Sequence, residues 1–235
     1  LRKGADMKKQ ELLQGMRDSI PIVLGYFPLG FAFGVLAVQV GLSIFQAGLM
    51  SILCFTGAGQ YIAIGVMQAG GAVVTAILAN ILVNLRYFLF ATSMVPHFKD
   101  LPAVPASLLS YGLTDETYAV AINRYQTKPA TIAYMAGLNL TSHLAWITST
   151  FIGAALGMLI TNTDQYGFGF ALPAMYTCLM VLMISKKSDI IAAICGALAC
   201  LLMGYFFPES MANMSNIIIA TLVGATIGVM IHEYD

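Results

Sequence analysis

Charged side chains are scarce in this sequence. Asp, Glu, Lys and Arg make up 9% of its 235 residues, while hydrophobic residues make up 59%. A soluble domain carries about 25% charged and about 45–50% apolar residues. A mean hydropathy of +0.82 therefore excludes a chain whose whole surface faces water. An excess of either sign of charge is also missing, with 11 basic residues against 11 acidic ones. That balance argues neither for nor against nucleic acid. No basic patch with interleaved aromatics is present, so no nucleic-acid partner is expected. Cysteine is sparse as well: Cys54, Cys178, Cys195 and Cys200 lie in apolar runs without metal-ligand spacing and read as buried structural thiols. No Ser/His/Asp set, Walker loop, HExxH or dinucleotide fingerprint occurs. No enzyme, cofactor or metal is expected.

Long apolar runs are what the sequence does have. About 20 apolar residues are enough to cross a bilayer as a helix, and only helices or closed barrels satisfy their backbone there. Continuous runs, rather than ten-residue alternating ones, decide for helices. The expected fold is an all-α membrane protein, a polytopic bundle of about eight transmembrane helices, some broken by Gly or Pro. The segments are Ser19–Val40, Ile44–Met67, Ala72–Val95, Val104–Asn123, Thr131–Ile160, Gly167–Ile184, Ile190–Phe207 and Asn213–His232. Short joints such as Gln68-Ala69-Gly70-Gly71 and Pro208-Glu209 leave no room for an inserted soluble domain. Residues 1–6 precede Met7 and are expected to be a cloning remnant. Residues 1–18 are expected to form a cytoplasmic segment ahead of one transmembrane domain over 19–232. The first apolar stretch is too long for a signal-peptide core, so no cleavable signal is expected.

The fourth segment carries Asp115 and Glu116, and without it the crossings number seven. Basic residues favour cytoplasmic loops. If the segment crosses, Arg2, Lys3, Lys8, Lys9, Arg17, Arg124, Lys128, Lys186 and Lys187 fall inside and only Lys99 outside. If it does not, the basic residues divide evenly. Eight crossings with both termini cytoplasmic is the better solution.

Several residues do not suit a lipid-facing helix. Arg86 lies mid-segment in Asn80-Ile-Leu-Val-Asn84-Leu85-Arg86-Tyr87, where a charge costs about 2.5–3.5 kcal/mol or more. Asn80 and Asn84 share a face, and Arg86 lies about 200° round from Asn84. Polar groups in two directions predict a central helix wrapped by neighbours. Arg86 fits either an anion such as a substrate carboxylate or an ion pair with Asp115 or Glu116, and the two are compatible. Tyr111, Asp115 and Tyr118 are expected on one helical face, with Glu116 on another. One acid would then neutralise Arg86 while the other takes a proton or an ammonium group, unless the segment is an interfacial re-entrant turn.

In the second segment, Gly57-Ala58-Gly59-Gln60 is a costly run for a helix. It reads either as the break of a discontinuous helix, whose half-helix N-terminus attracts anions, or as close packing. Pro28 inside the first segment predicts a kink. Gly30-x3-Gly34, Gly153-x3-Gly157 and Gly224-x3-Gly228 are small-xxx-small packing patterns. In the fifth segment Asn139, Ser142, His143, Trp146, Ser149 and Thr150 form one polar stripe. It would either line a water path, with His143 able to shuttle protons, or hydrogen-bond between helices.

With these motifs in place the chain resembles the AzlC family, the large subunits of bacterial branched-chain amino-acid exporters. The resemblance runs from about Pro21 to the C-terminus. It is carried by Pro28-x-Gly30-x2-Phe33-Gly34, Phe55-Thr-Gly57-Ala58-Gly59-Gln60 and Asn84-Leu85-Arg86-Tyr87, then by Thr114-Asp115-Glu116-Thr-Tyr118-Ala119 and Phe170-Ala-Leu172-Pro173-Ala174. Tyr87 stands where the family usually has His, and Gly59 where it often has Ser. The resemblance implies export of hydrophobic amino acids across the bacterial inner membrane, with a small AzlD-type membrane subunit. Spans rich in small residues fit such a partner.

A zwitterionic substrate needs an anion site, a cation site and an apolar pocket. The expected binding residues are Arg86, Asn84 and the backbone over Gly57, Ala58, Gly59 and Gln60. Asp115, Glu116 and His143 are the expected proton- or ion-coupling residues. A non-transporting scaffold or sensor subunit is the alternative from another class, and a passive channel is a further one.

Overall fold

The computed structural model describes residues 2–98, 101–160, 186–212 and 215–232, with isolated residues and pairs between 165 and 184. Its described elements are helices: α1 (Arg2–Asp18), α2 (Ile20–Gln39), α3 (Ile44–Cys54), α4 (Ala58–Gln68), α5 (Val73–Phe98), α6 (Ala103–Tyr111), α7 (Asp115–Tyr125), α8 (Ile132–Gly157), α9 (Lys187–Phe206), α10 (Glu209–Ala212) and α11 (Ser215–His232). By length and hydropathy, α2, α5 and α9 are long and apolar enough to cross a membrane, and α3 and residues 219–231 of α11 are shorter apolar helices. The 26-residue α8 is as long as α5 but carries the polar stripe. The sixth expected segment, Gly167–Ile184, lies largely outside the described residues, as does Cys178.

Local chemistry sets the helix starts. Ser43 and Gln46 form a reciprocal capping box on α3. The Thr131 side chain caps α8 by accepting from the Tyr134 N–H at 3.2 Å. Pro21 sits in the first turn of α2, where a missing N–H costs nothing. Pro28 lies inside the same helix, which continues through it to Gln39.

The chain divides into two compact units, the first of residues 1–64 and 83–171, the second of residues 65–82 and 172–235. In the first, α8 is the post on which α1, α2 and α3 pack. Gly34 of α2 meets Gly153 of α8, with Gly30 against Trp146 and Ser149 and Gly157 against Val35, so the two small-xxx-small patterns share one crossing. A Cβ on Gly34 would lie 2.6 Å from the Ala154 nitrogen, and one on Gly153 would lie 2.7 Å from the Phe31 carbonyl carbon. The core over this crossing holds Phe33, Val35, Tyr61, Leu138 and Trp146, all buried. Tyr61 on α4 donates to the Leu29 carbonyl at 2.7 Å and so ties α4 to α2.

Residues 2–18 are helical and docked. Gly15 of α1 abuts Tyr134 and Leu138 of α8, and Gly137 abuts Leu12. Arg124, beyond the fourth segment, reaches Glu11 at 2.6 Å and Asp18 at 3.9 Å, with its guanidinium 3.9 Å over the Tyr134 ring. In the second unit, α9 packs on α11 through Ala192, Gly196, Gly224 and Gly228.

Three expectations are overturned. Helix α5 is not wrapped by neighbours: of its residues only Met94 is buried. Its polar side chains find partners without such wrapping: Asn80 donates to its own helix at the Ala76 carbonyl, 3.0 Å away, Asn84 meets Thr56 and Arg86 meets Asp115. Tyr111, Asp115 and Tyr118 do not share a helical face, because the helix stops at Tyr111 and restarts at Asp115. Finally, Cys54 is exposed and Cys195 and Cys200 are half-buried. Apolar sequence around a thiol marks a lipid-facing surface as readily as a core.

Candidate functional site

Two interrupted helices build the site. The first interruption lies between α3 and α4. There Phe55 takes φ 30° and Gly57 φ 48°, both left-handed. A glycine takes that conformation without strain, whereas Phe55 is held in it. The Phe55 ring is buried between His143, with centroids 4.1 Å apart, and Tyr26 at 6.2 Å. Between them Thr56 donates to Asn84 Oδ1 at 2.8 Å, which fastens α5 to the break. The helix is therefore interrupted as expected, but over Phe55–Gly57: Ala58, Gly59 and Gln60 lie in the first turn of α4 and their backbone is not opened.

The second interruption lies between α6 and α7, at Gly112, Leu113 and Thr114. Thr114 starts α7 with a capping box to Thr117, whose hydroxyl accepts from the Thr114 N–H at 2.8 Å. Gly112 is required by close approach, since a Cβ there would lie 2.6 Å from the Asn139 side chain. Asp115 and Glu116 form the first turn of α7, where a helix N-terminus favours negative charge.

The two acids diverge. Asp115 Oδ2 pairs with Arg86 Nη2 at 3.0 Å, with side chains 12% and 24% exposed, so the pair is largely desolvated. The other carboxylate oxygen, Oδ1, is buried and has no hydrogen-bond partner among the described residues. Arg86 also lies 5.2 Å from the centroid of the Tyr87 ring. Glu116 Oε2 accepts from the Tyr26 hydroxyl at 2.6 Å. Arg86, Asn84, Gly57, Asp115 and Glu116 are thus brought to the two breaks, and of the two alternatives for Arg86 the ion pair is the one formed here.

Gln60 is fully buried. It donates to Ser51 Oγ at 2.9 Å and accepts from Trp146 Nε1 at 2.9 Å. Ser51 in turn meets Thr150 Oγ1 at 2.8 Å. Asn139 donates to the Leu109 carbonyl at 2.9 Å, and His143 Nε2 lies 3.1 Å from the Ser51 carbonyl. Asn139, His143, Trp146 and Thr150 of the α8 stripe thus bond to other helices, while Ser142 donates to the Leu138 carbonyl of its own helix. His143 is half-buried between Phe55 and Tyr111, with ring centroids at 4.1 and 5.6 Å.

Sequence reasoning missed Tyr26, Thr56 and Thr114. Tyr26 blends into an apolar helix because only its hydroxyl is polar. The Thr114 cap was legible in principle: a threonine followed by two acids is a helix start.

What the arrangement can do follows from its charges. A cation on α5, an anion paired to it and a second anion, both in the first turn of α7, sit close together, and α5 otherwise exposes Leu85, Phe88 and Leu89. Such a set can meet both ends of a zwitterion.

Comparison with known proteins places this architecture. The family model described as AzlC protein matches residues 21–160. The chain is 29% identical over 195 residues to the inner membrane protein YgaZ of Escherichia coli, covering 80% of each chain. It is 33% identical over 184 residues to an uncharacterized membrane protein of Archaeoglobus fulgidus, covering 77% of each. It is 25% identical over 182 residues to the branched-chain amino acid transport protein AzlC of Bacillus subtilis, covering 76% of this chain and 70% of that one. No solved structure matches significantly. Both motifs that bear the helix breaks, and the Arg86 and Asp115 that join them, fall within the matched residues, and the chain is a membrane protein of the AzlC family.

Proposed function

We propose that this protein is the large subunit of a two-component exporter of branched-chain amino acids, driven by a proton or cation gradient and assembled with a small AzlD-type membrane subunit. The observation that carries the reading is the Arg86–Asp115 pair, which joins α5 to the restart of α7, with Glu116 beside it. The similarity to the Bacillus subtilis transport protein supports the substrate class.

Residues 19–232 act as one transmembrane domain with both termini cytoplasmic. Counting α3 with α4 and α6 with α7, a described helix or helix pair falls in each expected segment except the sixth, which supports a reading of about eight crossings. The substrate carboxylate is held by Arg86, with Asn84 and the backbone over Gly57–Gln60. The ammonium group or the coupling proton goes to Asp115 or Glu116. Apolar Phe, Ile and Met side chains hold the branched chain. Substrate binding competes with the ion pair: a carboxylate that takes a hydrogen bond from Arg86 leaves Asp115 free for the ammonium group or a proton. That exchange conserves paired charge throughout, which matters where an unpaired charge is costly.

The test is isoleucine efflux from preloaded proteoliposomes, with and without the co-expressed small subunit, across an imposed pH gradient. Gradient-dependent efflux that needs the partner is expected. Asp115→Asn and Glu116→Gln should each abolish it while inserting normally. Full export by both variants would overturn the site assignment, and no efflux by well-folded protein with its partner would overturn the exporter reading.

A further inference from the structure

The residue that touches both helix breaks is Tyr26, on α2. It is 6% exposed. Its ring stands edge-on to Phe55 at the first break, with centroids 6.2 Å apart, and edge-on to Trp146 at 5.4 Å. Its hydroxyl lies 2.6 Å from Glu116 Oε2 and 2.7 Å from Thr114 Oγ1, both at the second break. A phenylalanine would fill the same space. The hydroxyl adds only the link to Glu116 and Thr114.

That link has two settings, because a hydroxyl has one hydrogen to give. With Glu116 ionised, Tyr26 donates to the carboxylate, the stronger charge-assisted bond. Thr114 then turns its own hydrogen to the Tyr26 oxygen, and Thr117 donates to the Gly112 carbonyl at 3.1 Å. With a proton from solution on Glu116 Oε2, the carboxylic O–H donates to Tyr26. The Tyr26 hydrogen turns to Thr114 Oγ1, and the Thr114 hydrogen turns to Thr117 Oγ1, 3.3 Å away. One O–H bond forms, on Glu116; every other change is rotation of a hydroxyl. The settings differ at the Thr114–Thr117 capping box, which is what ends the break and starts α7.

We infer that Tyr26 is a positioning residue that ties the protonation of Glu116 to the α6–α7 break and thereby couples proton movement to substrate movement. The inference rests on the transport reading above and deepens it by dividing the two acids: Asp115 serves the pair with Arg86, and Glu116 carries the coupling proton. Among the described residues, the charged and titratable groups around Glu116 are Tyr26 on α2, Tyr87 on α5 and Asp115 next to it, with Arg86 held on the far side by Asp115. Asp115 faces Arg86 directly and Glu116 faces a neutral hydroxyl, so Glu116 can gain or lose a proton without breaking an ion pair.

The test separates two modes of the same protein in proteoliposomes with its partner. One is isoleucine exchange at equal concentrations and fixed pH, which needs binding and conformational change only. The other is net efflux driven by a pH gradient, which also needs coupling. Tyr26→Phe should hold exchange within about twofold and lose about tenfold or more of the gradient-driven rate, as expected when a hydrogen bond to a charged group is removed. Thr117→Val, which removes the end of the chain and leaves the aromatic cluster alone, carries the same expectation and stands in if Tyr26→Phe does not fold. Gradient-driven efflux at the wild-type rate in the folded variant, or equal loss of both modes, overturns the inference. A wild type that exchanges without responding to the gradient overturns it while leaving transport intact. A wild type that does neither removes the transport reading and the inference together.

Discussion

Two helix crossings in this protein carry the same sequence pattern and are built to different tolerances. Where α2 crosses α8, a Cβ added to Gly34 would lie 2.6 Å from the Ala154 nitrogen. Where α9 crosses α11, a Cβ on Gly224 would lie 3.1 Å from the Ala192 carbonyl oxygen, and one on Gly196 would lie 3.4 Å from that of Ala220. Buried hydrogen bonds surround the first crossing, from Trp146 through Gln60 and Ser51 to Thr150. At the second, Asn216 Nδ2 lies 3.5 Å from Cys200 Sγ. The small-xxx-small pattern thus marks where helices approach, and the polar residues beside it govern how closely. A buried hydroxyl or amide must reach a partner across the crossing, and the glycines make that reach short enough.

Substitutions in matched pairs test that distinction, with stability read by thermal unfolding of the detergent-solubilised protein. The largest effect is expected for Gly34→Ala. Overpacking costs about 1–3 kcal/mol and sometimes more, and the obstacle here is backbone that no side-chain rotation relieves. A melting temperature at or near wild type would show that this crossing is no tighter than the other. Gln60→Leu comes next. It orphans Trp146 Nε1, for a loss of about 1–3 kcal/mol, while Ser51 Oγ keeps Thr150. Asn216→Leu is its counterpart in the second unit. The Asn216 Oδ1 is buried without a partner, so the change should stay within about 0.5 kcal/mol of zero. Gly196→Ala has the smallest effect and the opposite sign. Its Cβ makes an ordinary contact, and alanine exceeds glycine in helix propensity by about 1 kcal/mol, so a rise in melting temperature is expected. A fall as large as that for Gly34→Ala would erase the difference between the crossings.

The two helix breaks show how much of the site could be read beforehand. The α3–α4 break was legible from Gly57, which takes the left-handed conformation there, while Gly59 is accommodated inside α4. The α6–α7 break was not read, although Thr114-Asp115-Glu116 has the composition of a helix start. A continuous apolar run on either side of it met the length of a crossing, and hydropathy does not register a local change of hydrogen bonding. The same limit explains Tyr26. Its ring satisfies the apolar pattern of α2, and its hydroxyl acquires meaning only beside Glu116, 90 residues away in sequence.

Hydropathy by itself determined that the chain is helical and lies in a membrane, and it bounded α2, α5, α8, α9 and α11 to within a few residues. These are local consequences of which side chains a bilayer accepts. It also determined that Arg86 needs a partner, because a lone charge at that depth is too costly to leave bare. Only the tertiary structure decided that the partner is Asp115 and not Glu116, that Tyr26 holds the other acid, that α1 docks on α8 and that α5 stays at the periphery. Each of those depends on where a helix stops and how the next one is turned. A turn of one residue redirects a helical side chain by about 100°, which is enough to exchange one neighbour for another without changing the apolar pattern.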